Sequence, residues 1–258
     1  MNGIRQTANN TSHILLRFLG LSGVLGGLIL LFGDQLLYWG PIENLSNITT
    51  IATGQVPIET LGTMPEWRHL LTGIAPLLTV WGYSLGGVLV FFALKPAGNT
   101  LAVGTSALFI SSGMAVAIIH TLYFGIGISA KSAYLVGTGF EDATIAVQIA
   151  VDAFNVACII NYVPGTLGSL LFGYVVLTKA TNIPKWILVV HPMILVNSQY
   201  IVLPALPENM LKVIIMGGYV NMSFTIFFAV LTYLMWNGGK NNEERHSQTW
   251  SLKQMMRF

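Results

Sequence analysis

The chain has 258 residues, 53% of them hydrophobic and 9% charged, with a mean hydropathy of +0.68. A soluble domain carries about 25% charged residues, so water cannot be the solvent over most of this surface and lipid must be. The net charge of +2 is small and dispersed, which argues against nucleic acid, and the single cysteine, Cys158, allows no intrachain disulfide and no thiolate metal site.

A spanning helix needs about 20 mostly apolar residues. Six runs qualify, over residues 14–39, 69–94, 101–128, 143–177, 186–203 and 210–236. The first is too long for the apolar stretch of a secretion signal and has no small-residue cleavage pattern after it, so it reads as the first span. The stretch between the first two runs contains the triplets Asn44-Leu45-Ser46 and Asn47-Ile48-Thr49, which match a glycosylation acceptor pattern. It ends in Thr63-Met64-Pro65-Glu66, which reads as a capping box opening the second helix near Pro65. The fourth run exceeds what a bilayer requires and contains Pro164-Gly165, as expected for one kinked or tilted helix whose first turns project past the membrane; a re-entrant element is the alternative. In the fifth, Pro192 removes a backbone bond and predicts a kink.

The fold class expected is an all-α polytopic membrane bundle of six helices, one domain over residues 1–236, followed by a polar, loosely ordered tail at 237–258. With the N-terminus inside, the cytoplasmic segments hold Arg5, Arg17, Lys95, Lys179, Lys185, Lys240, Arg245, Lys253 and Arg257, against Arg68, Lys131 and Lys212 on the other side. That bias places both termini in the cytoplasm, in agreement with an even number of spans. The implied location is multi-pass integral membrane: the plasma or inner membrane of a bacterium, or an organelle of a eukaryote.

Small residues mark where lipid-solvated helices touch. Gly23 and Gly27, Gly82 and Gly86, Gly165 with Ser169 and Gly173, and Gly217-Gly218 therefore identify inward faces. Ionisable groups in hydrocarbon cost at least ~2.5–3.5 kcal/mol on insertion scales, so each needs a partner or a role. Asp34 follows Gly23, Gly27 and Leu30 at helical spacing, which turns it inward. In the fourth run Gln148, Asp152, Asn155 and Tyr162 share a stripe, which is expected to line the bundle interior or a wet cavity. In the third run His120, with Tyr123 one turn on, closes a face of small residues containing Ser112, Gly113 and Ala117. His69 lies near the outer interface, whereas His191 falls in the inner half. Asn221 and Thr225 are explained by packing alone.

Asp34, His120, Asp152 and His69 are thus expected within the outer half, on inward faces. Such a group suits acid–base chemistry between a carboxylate and a histidine. It also suits a metal bound by two histidines and two carboxylates, but no HExxH or HxxxH spacing supports one, so neither metal nor cofactor is assigned. The functional expectation is a membrane-embedded enzyme isomerising or cyclising a lipid or isoprenoid-like substrate. Asp152, His120 and Asp34 would be catalytic; Asn155, Tyr162, Tyr123 and His69 would contact substrate. The alternatives are a proton-coupled transporter or channel with His191 as a relay step, and an accessory subunit in which the polar residues only lock helix packing. The expected partners are the lipid bilayer and a hydrophobic small molecule.

Overall fold

The computed structural model of the protein describes residues 2–38, 58–136, 141–181, 183–207 and 210–255. Every regular element among them is helical: α1 (Asn2–Tyr38), α2 (Ile58–Thr63), α3 (Glu66–Leu94), α4 (Asn99–Val136), α5 (Glu141–Thr178), α6 (Pro192–Ala205) and α7 (Met210–Met255), with 3-10 turns at Lys95–Ala97 and Lys185–Val190. Five segments are long and apolar enough to cross a membrane: His13–Leu37, Glu66–Ala97, Asn99–Ser132, Ile145–Thr178 and Leu211–Trp236. The described residues accordingly form an all-helical bundle whose five long apolar helices suit a membrane. The two acceptor triplets lie outside the described residues.

The fifth apolar run is broken. His191 is extended at φ −65 and ψ 137, because the ring of Pro192 disfavours helical backbone in the residue before it. The run becomes a 3-10 segment followed by α6, whose 14 residues reach about 21 Å, short of the ~30 Å hydrocarbon core. By contrast, Pro164 sits inside an uninterrupted α5, so the long fourth run forms one helix and no re-entrant element. Helix α3 opens at Glu66 with Pro65 as its N-cap, as the capping motif placed it, and Thr63 ends α2 just before. At the other terminus helix continues through Met255.

Neighbouring long helices run antiparallel, as their contacts register. Gly26 opposes Gly82 and Gly23 opposes Gly86 between α1 and α3. Tyr83 meets Gly113 and His69 meets Gly127 between α3 and α4; Phe109 meets Phe172 and Tyr123 meets Phe154 between α4 and α5. Between α1 and α7, Gly20 opposes Thr232, Gly27 opposes Thr225, and Gln35 donates to the Ile214 carbonyl at 2.8 Å. Between α6 and α7, His191 packs on Phe227 and Ser198 bonds Tyr219. Taking the end where α1 begins as the near end, α1 and α4 rise to the far end. Helices α3, α5 and α7 descend from it, and α6 rises beside α7.

One aliphatic and aromatic core fills the near part, including Leu30, Leu89, Phe109, Phe172, Phe227 and Phe228. A second, at the far end, joins Leu37, Leu61, Met64, Tyr123, Ile126, Ala130 and Val147. Cationic and imidazole donors fasten it by bonding carbonyls near helix C-termini, where the backbone dipole favours positive charge. Arg68 bonds Leu36 at 2.7 Å, Lys131 bonds Met64 at 3.0 Å, and His69 Nε2 lies 3.0 Å from the Leu61 carbonyl.

Candidate functional site

Asp34 is carried inward by the glycine face of α1, where Gly23 and Gly27 lie against Phe228 and Thr225. The helices approach closely enough there to bury Asp34, which is 6% exposed as a residue. A carboxyl in such surroundings must be bonded. Asn221 Nδ2 donates to Asp34 Oδ2 at 2.5 Å, and Asn221 Oδ1 accepts from the Tyr83 hydroxyl at 2.9 Å. On the other side His120 Nδ1 stands 3.7 Å from Asp34 Oδ1. That is beyond a direct hydrogen bond but close enough for a small closure or one bridging water to join the pair. Four helices, α3, α7, α1 and α4, thus contribute Tyr83, Asn221, Asp34 and His120 to a single polar chain.

The chain ends beside open space. The face of α4 carrying His120 continues downward through Val116, Gly113, Ser112 and Phe109, and these four, with Tyr83, Phe224 and Phe228, line a crevice. It has room for little more than a water molecule as it stands. His120 is the more accessible of the pair, its side chain 17% exposed against 8% for Asp34, so a molecule approaching the pair meets the imidazole first.

Below the crevice lies an aromatic seal. Tyr83 packs on Phe228 at 5.8 Å, Phe228 on Phe227 at 5.5 Å, and Phe227 on His191 at 5.9 Å between ring centroids. Phe172 closes the group, 5.3 Å from His191 and 5.4 Å from Phe227. His191 itself caps α6: its Nδ1 accepts from the Met193 amide at 3.3 Å, so Nε2 carries the proton, and that atom is buried without a hydrogen-bond partner among the described residues. The relay expected to pass from the polar chain to His191 meets phenylalanine at each step.

The sequence candidates separate. Asp34 and His120 come together. Asp152 stands apart on the exposed face of α5, where Gln148 Nε2 donates to its Oδ1 at 2.9 Å. Helix α5 packs chiefly on α4, and only 6% of its most apolar stretch is buried, against 33–50% for the other four spans. One covered flank leaves most of the stripe facing out. Asn155 is exposed and Tyr162 is 65% exposed. Tyr123 belongs to the far-end cluster, edge-on to Phe154 at 5.3 Å, and His69, 0% exposed, holds α2 down through Leu61. Neither borders the crevice. Among the described residues no three His, Cys, Asp or Glu side chains gather as a metal site would require.

Two members of the polar chain carry no role in the sequence reading: Asn221 is explained there by packing alone, and Tyr83 is not named. Asn221 follows Gly218 by three residues and Tyr83 directly follows Gly82, so both sit where small residues already account for packing. The available signal was that a polar side chain on a glycine-marked face must find a polar partner inside. No known protein family, curated protein or solved structure matches the chain.

Proposed function

We propose that this protein is a six-pass membrane protein that carries out proton-transfer chemistry on a lipophilic molecule at the Asp34–His120 pair. The observation that carries this reading is the pair itself. A bonded, buried carboxyl faces a more accessible imidazole at 3.7 Å, and the imidazole lies one helical turn beyond Val116, which lines the crevice. A general acid–base couple needs this arrangement: one group fixed, the other reachable, and water largely excluded. In this reading Asp34 orients His120 and stabilises its charged form, while the imidazole exchanges a proton with the substrate. Asn221 and Tyr83 hold the carboxyl in register.

The six passes rest on chain direction. Helices α5 and α7 both descend, so residues 179–209 must climb back between them. The 3-10 segment Lys185–Val190 and the 14-residue α6 together extend about 33 Å, enough for the core. With nine of twelve Lys and Arg residues at the near end or in the tail, that end is the cytoplasmic side. The far end, with the polar chain, then faces outward. The aromatic seal between the crevice and His191 favours a site open to one side over a relay through the membrane.

The test uses protein reconstituted with a total lipid extract in deuterated water. The readout is carbon-bound deuterium in the recovered lipids, measured by mass spectrometry after exchangeable sites are washed out. Wild type is expected to introduce deuterium into one lipid class, and Asp34→Asn and His120→Gln to lower the rate by about 10²–10⁴-fold. Incorporation at the wild-type rate in both folded variants would refute the assignment.

A further inference from the structure

The outward stripe of α5 has a second property. Gln148, Asn155, Tyr162 and Ser169 are spaced by seven residues and so lie along one edge of the helix. The first three are exposed, whereas Ser169 is 7% exposed. The edge is therefore open in the far half and closed in the near half. Its direction follows from its flanks. Gly165 and Gly168 face Ser112, Leu108 and Phe109 of α4, and Leu171 leans on Gly104 of the same helix. Ser169 lies one turn from Phe172, which contacts His191 at the start of α6. Further up, Tyr162 on α5 and Tyr200 on α6 are 65% and 74% exposed, so neither ring is covered by the neighbouring helix at that level.

We infer that this far-half seam between α5 and α6 is the doorway through which an amphiphile from the surrounding lipid reaches the crevice, with Asn155, Tyr162 and Tyr200 binding its hydroxyl or carbonyl head group. The inference rests on the acid–base reading for its destination and on the seam for its route. The outer faces of both lips are aliphatic, with Ile159, Val163 and Leu170 on α5 and Ile194 and Ile201 on α6 exposed. A molecule can therefore keep its tail in lipid while its head slides along the polar edge. Amide and phenol groups at that edge would be costly in hydrocarbon without such a partner. The crevice must widen to admit even part of the molecule, and because α5 is held chiefly by α4, moving it away from α6 breaks few contacts.

The probe is a diazirine-bearing long-chain alcohol in nanodiscs, with adducts mapped by mass spectrometry. In a Cys158→Ser background, Tyr162→Cys and Tyr200→Cys are bridged with a short bismaleimide; the control is the same double variant capped with a monofunctional maleimide. Bridging is expected to lower adducts at Val116 and Phe224 by about tenfold and to leave those at the lipid-facing Trp81 unchanged. Crevice adducts that persist in the bridged protein overturn the doorway, as do crevice adducts absent from both forms, or a bridge that fails to form. The two proposals fail separately. A bridge-sensitive crevice without Asp34-dependent deuterium incorporation leaves the doorway and removes the chemistry. Deuterium incorporation that survives bridging does the reverse.

Discussion

The α1–α3 contact gives the sharpest stability prediction, because the two backbones touch. A Cβ added at Gly82 would lie 2.6 Å from Gly26 Cα and 2.6 Å from the Ser22 carbonyl oxygen. Both are backbone atoms, so neither can rotate aside, and reaching ordinary contact requires the helices to part by about 1 Å. A gap of that size forfeits a quarter to a half of each dispersion contact, and with roughly 20 atom pairs at 0.1–0.2 kcal/mol the loss is about 1 kcal/mol. The Thr79 hydroxyl bond to the Gly26 carbonyl, 3.1 Å long, weakens too, at about 0.6 kcal/mol for a typical interhelical bond. Gly82→Ala should therefore destabilise by about 1–3 kcal/mol, the usual range for overpacking. Gly125 has nothing within 4 Å of the added methyl, and there alanine should be neutral or stabilise by up to about 1 kcal/mol through helix propensity. At Gly218 the obstacle is the end of the Leu31 side chain, which can swing away, so an intermediate cost is expected. The measurement is detergent-driven unfolding in mixed micelles, followed by tryptophan fluorescence and circular dichroism. If Gly82→Ala and Gly125→Ala unfold at the same midpoint, the helices do not meet backbone to backbone and the reasoning fails.

Replacing Asn221 with Leu removes the partner of both Asp34 and Tyr83 and should cost about 1–3 kcal/mol for each group left unpaired; a smaller loss than Tyr83→Phe alone would show that the chain is not formed. Phe227→Ala, at the centre of the seal, should destabilise by about 3–5 kcal/mol and raise passive proton leak in liposomes, and an unchanged leak would place the barrier elsewhere. Single cysteines at Thr181 and Leu206, in a Cys158→Ser background, should react with a membrane-impermeant maleimide from opposite sides. Reaction from one side would leave residues 179–209 as an excursion and reduce the passes to five.

Much of the bundle was legible because its physics is coarse. Apolar length locates a span whatever its neighbours, and glycines four apart mark a face whatever lies across from it. Asp34 could be placed for that reason, its stripe being set by Gly23 and Gly27. The stripe of α5 was legible as a stripe, but periodicity says which residues share a face and not what covers that face. A helix held chiefly by α4 turns outward what a central helix would bury, so Asp152 departed from Asp34 and His120. The break at Pro192 could be read as a kink; that it yields a 3-10 segment depends on Phe172 and Phe227 receiving His191. Helix α2 could not be read at all. Its six residues are too few to be stable alone, and it persists because Leu61 and Met64 are buried in the far-end cluster.

The meeting of α1 with α7 has a consequence for how the protein is made. Asp34 is bonded by Asn221, 187 residues later in the chain. During synthesis the first helix enters the membrane with its carboxyl unmatched, and it waits while nearly the whole protein is still to be translated. Until His120 and then Asn221 arrive, the carboxyl must stay protonated, reach the lipid surface or be sheltered by the insertion machinery. Chains cut short before α7 should therefore be recognised and degraded as incomplete, even when every earlier helix is present.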